Sequence, residues 1–296
     1  MPSLYLLSVI AVMVGAIVLS FTGLIMRQID SADVWQVLFY RAIGMIATMT
    51  IFVAFTQRGK LLKGIRDAGW RGVVVAFLIG PSFGFYILAL TLSSVAEVSF
   101  VISTLPLFTA LLAWIFLKEK IGLLTWLVIV IVLCGVALMV FDSLGQGGEP
   151  LGILVAFAVP ITFAGTIVLI RSWRDVDMVP ATWMAGFVAL GMALVLSGSN
   201  FFTISNWDML FSLLMGCTLG LGFGLYTIGT RYVSAAQVAL LALLEQVFNP
   251  VWAWAGAGET PTTLVLIGGI IVLSAVTFKA LQGVREERIK TLSFRK

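Results

Sequence analysis

Long stretches of apolar residues recur along the whole chain, with short polar segments between them. A helix needs about 20 residues to cross the hydrocarbon core of a bilayer, and each stretch is close to that length. The stretches are too continuous for the alternating strands of a membrane barrel, and backbone within lipid forms either helices or a closed barrel. The pattern predicts an all-α integral membrane protein with ten transmembrane helices. They cover residues 4–26, 34–55, 70–92, 95–117, 121–141, 151–170, 179–196, 209–230, 235–255 and 262–281.

Composition supports this prediction. Of the 296 residues, 60% are hydrophobic and only 11% are charged, whereas about a quarter of the residues in a soluble domain are charged. The gaps between the predicted helices leave no room for a separate soluble domain. The first stretch is too long and too weakly basic at its front for a cleaved signal peptide, so we expect it to remain as the first helix.

The positive charges predict the orientation of these helices. Sixteen of the eighteen Lys and Arg residues fall on one side of the membrane, whereas Arg27 lies on the other side and Arg41 lies inside the second span. By the positive-inside rule both termini face the cytoplasm, and residues 283–296 form a basic cytoplasmic tail. The high pI therefore reflects orientation, since the chain has no basic stripe with interleaved aromatic residues of the kind that binds nucleic acid.

An internal repeat accompanies this charge pattern. Shifted by 140 positions, residues 80–141 align without a gap on residues 220–281. The segment GPSFGFY at 80–86 matches GLGFGLY at 220–226. Apolar composition alone does not produce matched glycines and tyrosines. The chain therefore divides into two related halves.

The halves are predicted to be inverted relative to each other. Residues 1–142 and residues 151–282 each hold five spans, and an odd number makes the second half enter the membrane upside down. Glu119 then faces the cytoplasm, while its repeat partner Glu259 faces outside. Inverted repeats are common in secondary transporters, whose substrate sites lie near the midplane where the halves meet.

Two segments also carry a family resemblance. Residues 103–139, STLPLFTALLAWIFLKEKIGLLTWLVIVIVLCGVALM, resemble the hallmark region of the EamA-type transporters of the drug/metabolite transporter superfamily, in which Pro106 and Glu119 recur. Leu-Glu-Gln at 244–246, followed by Gly-Glu at 258–259, is similar to the second-half motif, where Gln246 replaces the usual Pro. The resemblance covers nearly the whole chain. It implies export or exchange of small metabolites, including amino acids, or of drugs across the bacterial inner membrane.

Polar residues in the ninth span are the first candidates for a substrate site. Glu245 lies close to the midplane, and Glu245, Asn249 and Trp252 share one helix face at i, i+4 and i+7. A charge at the midplane costs about 2.5–3.5 kcal/mol on insertion scales, so such residues usually face a partner or a wet cavity. Two interpretations remain open for Glu245. It is either a substrate or proton site, or a protonated carboxyl that hydrogen-bonds a neighbouring helix.

Arg41 lies about 10 Å inside the second span, at ~1.5 Å per residue. Guanidinium does not discharge, so Arg41 needs an acceptor, and Glu97 and Glu245 are the available intramembrane carboxylates. An internal salt bridge and a substrate clamp are both open for Arg41. Glu97 near the outer end of the fourth span either helps to polarise the mouth of the pathway or is a solvated helix-end residue.

Aromatic residues complete the predicted site. Tyr86 and Tyr226 are repeat partners that follow glycine pairs with GxxxG spacing, which favours close helix packing. Both tyrosines are candidates for lining the cavity, where an apolar ring with one hydroxyl suits substrates of mixed character. Trp183 is a further candidate, because it occupies the repeat position of Arg41 when the shift is 142.

These features favour a secondary transporter over an intramembrane enzyme or a passive scaffold. The chain has no histidine, the commonest general base, and we predict no catalytic residues, no cofactor and no metal. The expected partners are a small-molecule substrate and the lipid bilayer, with protons as a candidate coupling ion, and the protein is expected to be a monomer or homodimer. An amino acid or related zwitterion suits Arg41 and Glu245 together, whereas an organic cation is the alternative.

The inverted repeat yields a topology prediction. In a cysteine-free background, single cysteines at positions 119 and 259 should react with a membrane-impermeant thiol reagent from opposite sides of the membrane. Reaction of both positions from the same side would rule out inversion.

Overall fold

The computed structural model describes residues 2–57, 61–118, 122–145, 150–173, 179–197, 201–229 and 235–293. Within these ranges every regular element is a helix. The helices are α1 Pro2–Ser20, α2 Thr22–Met26, α3 Val34–Gln57, α4 Leu61–Leu92, α5 Val95–Ile102, α6 Leu105–Leu117, α7 Leu123–Gly145, α8 Leu151–Ser172, α9 Val179–Leu196, α10 Asn206–Gly229, α11 Ala235–Ala257 and α12 Thr263–Ser293, with a 3₁₀ turn at Phe201–Thr203. Glu119 lies outside the described residues.

The all-α membrane prediction is confirmed, whereas the count of ten spans stays a prediction. In the described part of the chain, seven stretches are helical, long and apolar enough to cross a membrane. They are Leu4–Met26, Val34–Phe55, Gly64–Leu92, Val95–Leu117, Leu123–Asp142, Leu151–Ile170 and Asn206–Tyr226. Shorter apolar helices cover Pro180–Leu196 and Thr263–Lys279.

Two predicted spans are broken helices. The span at 95–117 divides into α5 and α6 at Ser103 and Thr104, whose hydroxyls donate to backbone carbonyls three residues earlier, each at 2.6 Å. Pro106 lies in the first turn of α6, where its missing N–H costs little. The span at 4–26 is likewise divided at Phe21, between α1 and α2. Breaks of this kind inside membrane spans are common in transporters.

Two helices extend beyond their predicted ends. α4 begins at Leu61 instead of residue 70, although Gly69 at φ 51° and ψ −141° interrupts its helical geometry. α12 continues to Ser293 and so covers most of the predicted tail at 283–296. The tail sequence contains good helix formers and no proline after Thr262, so nothing in it ends the helix.

Helices from the two sequence halves pack against each other in two bundles. In the first, which we call the α4 bundle, α4 packs against α8 and α9, and α5 and α6 pack against α8. In the second, the α10 bundle, α10 packs against α1, α2 and α3, and α11 packs against α1 and α2. α7 and α12 pair beside them. The bundles meet through the helix pairs α3 with α9, α3 with α4, and α11 with α5.

Glycines allow the closest contacts in these bundles. A Cβ atom on Gly216 of α10 would overlap the backbone carbonyl of Arg41 on α3, and one on Gly44 of α3 would overlap the carbonyl of Leu213 on α10. Small residues let helix backbones approach in this way. Arg41 is therefore held by backbone-to-backbone packing of α3 on α10.

This packing predicts that Gly216→Ala destabilises the protein, whereas Gly191→Ala does not. The Gly216 methyl would have to displace backbone, and overpacking of this kind typically costs about 1–3 kcal/mol. A Cβ on Gly191 of α9 meets nothing within 4 Å, so Gly191→Ala should be neutral or slightly stabilising because alanine has the higher helix propensity. Thermal unfolding in detergent compares the two, and equal melting temperatures would contradict the prediction.

Candidate functional site

Arg41 forms the centre of the candidate site. Its side chain is buried, with 3% of the residue exposed. Nη1 donates to the carbonyl of Phe83 at 3.3 Å, and Cζ lies 5.6 Å and 5.3 Å from the ring centroids of Phe83 and Tyr86. Among the described residues, Arg41 Nε has no hydrogen-bond partner. A guanidinium has five N–H donors, so Arg41 retains capacity for an anionic partner.

Glu245 lies near Arg41 without pairing with it. The half-buried Glu245 on α11 is within electrostatic range of Arg41, Tyr86 and Tyr226. In the described part of the chain neither Glu245 nor Glu97 is close enough to Arg41 for an ion pair. The internal salt bridge that the sequence left open is therefore not formed in this structure. The two side chains share one region without an ion pair between them, and the Glu245 carboxyl has a hydrogen bond with Gln246 instead.

Four further buried side-chain atoms in the described residues lack partners, the hydroxyl oxygens of Ser82, Ser93, Ser197 and Tyr226, and those of Ser82 and Tyr226 bear on the candidate site. Tyr226 on α10 has no partner for its Oη, and the fully buried Ser82 on α4 has none for its Oγ. Ser82 lies one turn before Tyr86, so both side chains are on the same face of α4. Buried polar atoms in native proteins nearly always have a protein or water partner. The unpaired atoms of Arg41, Ser82 and Tyr226 therefore indicate a site for a polar ligand or water.

Asn249 connects its own helix to three others. Its Oδ1 accepts from the Gly23 N–H at 2.9 Å, and its Nδ2 donates to Ser99 Oγ at 3.0 Å and to Tyr86 Oη at 3.4 Å. Both amide donors are used, and the residue is 2% exposed. Asn249 thus ties α11 to α2, α4 and α5, and positions Glu245 one turn earlier on the same helix.

The contacts of Trp252 are with residues other than Arg41 and its neighbours. Its Nε1 donates to Ser20 Oγ at 2.9 Å, and its ring stacks on Phe21 at 5.0 Å and on Phe248 at 5.7 Å. These contacts pack α11 against the break between α1 and α2. Of the three residues predicted to share one face of α11, Asn249 and Trp252 therefore serve mainly to contact other helices.

Trp183 and Glu97 are also engaged elsewhere. Trp183 Nε1 donates to Thr50 Oγ1 at 2.9 Å, and its ring meets the exposed Phe187 edge-on at 4.5 Å. Glu97 forms a capping box at the start of α5, where its Oε2 accepts from the N–H and the hydroxyl of Ser94 at 2.9 and 2.8 Å. The structure does not bring Trp183 or Glu97 into contact with Arg41.

Phe83, which contacts Arg41, forms a cluster with two other phenylalanines, and none of the three was predicted as a site residue. Phe83 on α4, Phe163 on α8 and Phe223 on α10 have ring centroids 6.2 to 6.4 Å apart, and Phe163 and Phe223 are nearly parallel. Phe83 and Phe223 are repeat partners in the GPSFGFY and GLGFGLY segments. That equivalence was the signal available in the sequence, whereas nothing in the sequence marked Phe163.

Comparison with known proteins places this geometry in context. The model of the EamA-like transporter family matches residues 6–141 and again residues 148–280. The uncharacterized transporter YdfC of Bacillus subtilis is 27% identical over 256 residues, which cover 83% of this chain and 81% of YdfC.

An exporter and a solved structure are also similar. The pseudopaline exporter CntI of Pseudomonas aeruginosa is 27% identical over 275 residues, which cover 88% of this chain and 92% of CntI. One protein crystal structure superposes with a TM-score of 0.61 at 17% identity and covers 95% of this chain and 98% of its own. At that identity the superposition shows a shared fold.

The contacts of Asn249 predict that Asn249→Ala reduces stability. The change leaves the Gly23 N–H without its acceptor, and an unsatisfied buried group costs about 1–3 kcal/mol. Asn249→Asp keeps the acceptor for Gly23 but removes the donor to Ser99, so we expect it to lower the unfolding temperature as well. Ser99→Ala removes one of these hydrogen bonds and should cost less than Asn249→Ala. An Asn249→Ala protein as stable as the parent would contradict this role.

Proposed function

Because the chain belongs to the EamA-like transporter family, we propose that it is a secondary transporter that exports or exchanges an amino acid or related zwitterion. One observation carries the proposal. The buried Nε of Arg41 has no hydrogen-bond partner among the described residues, and the nearby Glu245 carboxyl forms no ion pair with Arg41. A zwitterion supplies a carboxylate for Arg41 and an ammonium for Glu245. Binding such a substrate completes both charges at once.

The energetics favour a ligand between these charges. Buried charges are strongly unfavourable unless they are paired and hydrogen-bonded. Arg41 has one backbone carbonyl and two ring faces as partners, and cation–π contacts replace only part of its hydration. A carboxylate at Nε would add a charge-assisted hydrogen bond. Hydrogen bonds of this class contribute about 1.5–3 kcal/mol each.

The neighbouring groups complete a pocket of mixed character. Ser82 Oγ and Tyr226 Oη supply hydrogen-bonding groups that are free in the described structure. Phe83, Phe163 and Phe223 supply apolar faces for a side chain. Ligand sites of this kind combine apolar walls with a few placed polar groups.

The repeat supports a build of ten spans in two inverted halves, at 1–142 and 151–282. The contact of α4 with α9 and that of α10 with α3 match residue by residue under the shift of 140. Gly80 lies against Ala185 and Val188, and its partner Gly220 lies against Met45 and Thr48. The two matches to the family model support the same division.

The bundles support a mechanism of alternating access. Shifting the repeat exchanges the α4 bundle with the α10 bundle, so rocking one against the other opens either end by equivalent motions. The residues of the candidate site come from both bundles. Arg41, Tyr226 and Glu245 come from the α10 bundle, while Ser82 and Phe83 come from the α4 bundle.

The charge pattern and one relative support the proposed direction and location. The positive charges support cytoplasmic termini in a bacterial inner membrane. The relative that is a pseudopaline exporter supports export. A proton carried by Glu245 and simple exchange of substrates both fit as energy sources. An organic cation is the second candidate substrate, because Glu245 lies near the ring faces that attract cations.

Matched ligands test the proposed substrate class. Leucine carries both charges, leucinamide only the ammonium, and 4-methylpentanoate only the carboxylate. We expect purified parent protein to bind leucine, or another amino acid of a panel, more tightly than either partner compound. Arg41→Gln should remove the preference for leucine over leucinamide, which lacks the carboxylate. Glu245→Gln should remove the preference for leucine over 4-methylpentanoate, which lacks the ammonium. Each loss should be about tenfold or more in Kd, as expected from ~1.4 kcal/mol per tenfold.

A third variant serves as the control for this experiment. Asp208 is a buried carboxylate on α10 that accepts hydrogen bonds from Asp30 and Ser31, so Asp208→Asn should bind like the parent. Parent-like binding by folded Glu245→Gln would defeat the zwitterion site. Binding of tetraphenylphosphonium that depends on Glu245 but not on Arg41 would instead favour the cation alternative.

A further inference from the structure

Arg27 and Glu259 form an ion pair next to Ser93 and Val95, at the junction between α4 and α5. Arg27 Nε donates to Glu259 Oε2 at 2.5 Å. The other two nitrogens of Arg27 donate to the carbonyls of Leu90 and Ser93 at 2.7 and 2.8 Å. Glu259 Oε1 accepts from the Val95 N–H at 2.5 Å. Both charged groups therefore contact the same short segment, residues 90–95.

The segment at 90–95 is the junction between two helix ends. α4 ends at Leu92 and α5 begins at Val95. The last carbonyls of a helix and its first N–H groups lack partners within the helix. The helix dipole favours a cation at the C-terminal end and an anion at the N-terminal end. Arg27 and Glu259 meet both preferences. Each charge thus stabilises a helix end as well as its ionic partner.

These contacts cross the boundary between the two bundles. Arg27 follows α2, and Glu259 follows α11, so both are anchored in the α10 bundle. Leu90, Ser93 and Val95 belong to the α4 bundle. The ion pair is thus made within one bundle, while its three backbone hydrogen bonds fasten the other bundle to it.

Glu259 is held in place by the local backbone. Gly258 adopts a left-handed conformation at φ 70° after the end of α11, a conformation that glycine adopts without strain. The N–H groups of Gly258 and Glu259 bond back to the carbonyls of Trp254 and Ala253. The side chain of Glu259 is therefore aimed from a fixed helix end.

Asn249 makes a second connection between the end of α2, α11 and the α4–α5 region, closer to the candidate site. Asn249 on α11 binds Gly23 of α2, Ser99 of α5 and Tyr86 of α4. Tyr86 lies one helical turn before Leu90. The ion pair and Asn249 are thus two successive layers of contacts between the bundles, and the second layer reaches Tyr86, whose ring lies beside Arg41.

We propose that Arg27 and Glu259 are a latch that keeps this end of the transport pathway closed and that must release residues 90–95 before the pathway opens there. The inference rests on the proposed transport function but not on the identity of the substrate. The two side chains are 26% and 19% exposed, so water reaches them and can replace their bonds on opening. Partly exposed pairs contribute modestly, which suits a contact that is broken in every cycle.

A cysteine reporter tests the latch. With Cys134 and Cys217 replaced by alanine, Ser82→Cys places one thiol in the candidate site. The probe is the membrane-impermeant reagent 2-(trimethylammonium)ethyl methanethiosulfonate, applied without substrate to either side of the membrane in turn. Glu259→Gln keeps the shape but removes the charge. We expect it to raise the labelling rate from the Glu259 side about threefold to fivefold, in keeping with the modest contribution of a partly exposed ion pair.

Two matched variants sharpen the test. Asp208→Asn disrupts a carboxylate that joins residues within the α10 bundle, and it should label at the parent rate. Exchanging the charges by Arg27→Glu with Glu259→Arg restores an ion pair but places each charge at the wrong helix end. The proposal expects the exchanged pair to label as fast as Glu259→Gln. Labelling restored to the parent rate would overturn the proposed role of the helix ends.

Unchanged labelling in folded Glu259→Gln, from both sides, would overturn the latch itself. If Glu259→Gln does not fold, Arg27→Lys provides the second test, since its single nitrogen keeps the charge but cannot take the three separate positions from which the Arg27 nitrogens bind Glu259, Leu90 and Ser93. It should also raise labelling from the Glu259 side, and a parent rate would count against the latch. Because no substrate is present, these outcomes are independent of whether a zwitterion binds at Arg41.

Discussion

The structure depends on placing one permanent positive charge inside a membrane protein. Arg41 cannot lose its proton under ordinary conditions, so its surroundings must replace the water it has left. The Phe83 carbonyl and the faces of Phe83 and Tyr86 do part of this, and they come from α4, whereas Arg41 itself is fixed to α10 through the contact with Gly216. The two bundles therefore meet at the guanidinium.

The polar groups around this charge divide into two kinds. Asn249 and Trp252 have their hydrogen bonds satisfied by neighbouring helices and hold α11 in place, while Glu97 is bonded to Ser94 and caps its own helix, α5. Ser82 and Tyr226 retain unused capacity in the described structure. The saturated residues therefore act as framework, and the unsaturated ones mark where a ligand has something to bind.

Much of the fold could be predicted from the sequence, because apolar runs of membrane length leave the backbone few alternatives. Glu245 was one of two candidate acceptors for Arg41 because both lie inside spans, but depth alone does not predict which helices are neighbours. The capping box at Glu97 was also readable, since Ser94 precedes it by three residues at the start of an apolar run. Trp183 was matched to Arg41 with a shift of 142, whereas the helix contacts follow 140. The Arg27 contacts join residues far apart in sequence, which a local pattern does not reveal.

The backbone contact between Arg41 and Gly216 has a consequence for the return of the empty carrier. If the bundles rock as proposed, Arg41 moves with the α10 bundle and the rings that shield it move with the α4 bundle, so the guanidinium loses this shielding unless a substrate accompanies it. An unloaded protein therefore faces a higher barrier than a loaded one. On the proposed mechanism, this difference would favour turnover in which one solute leaves only as another takes its place.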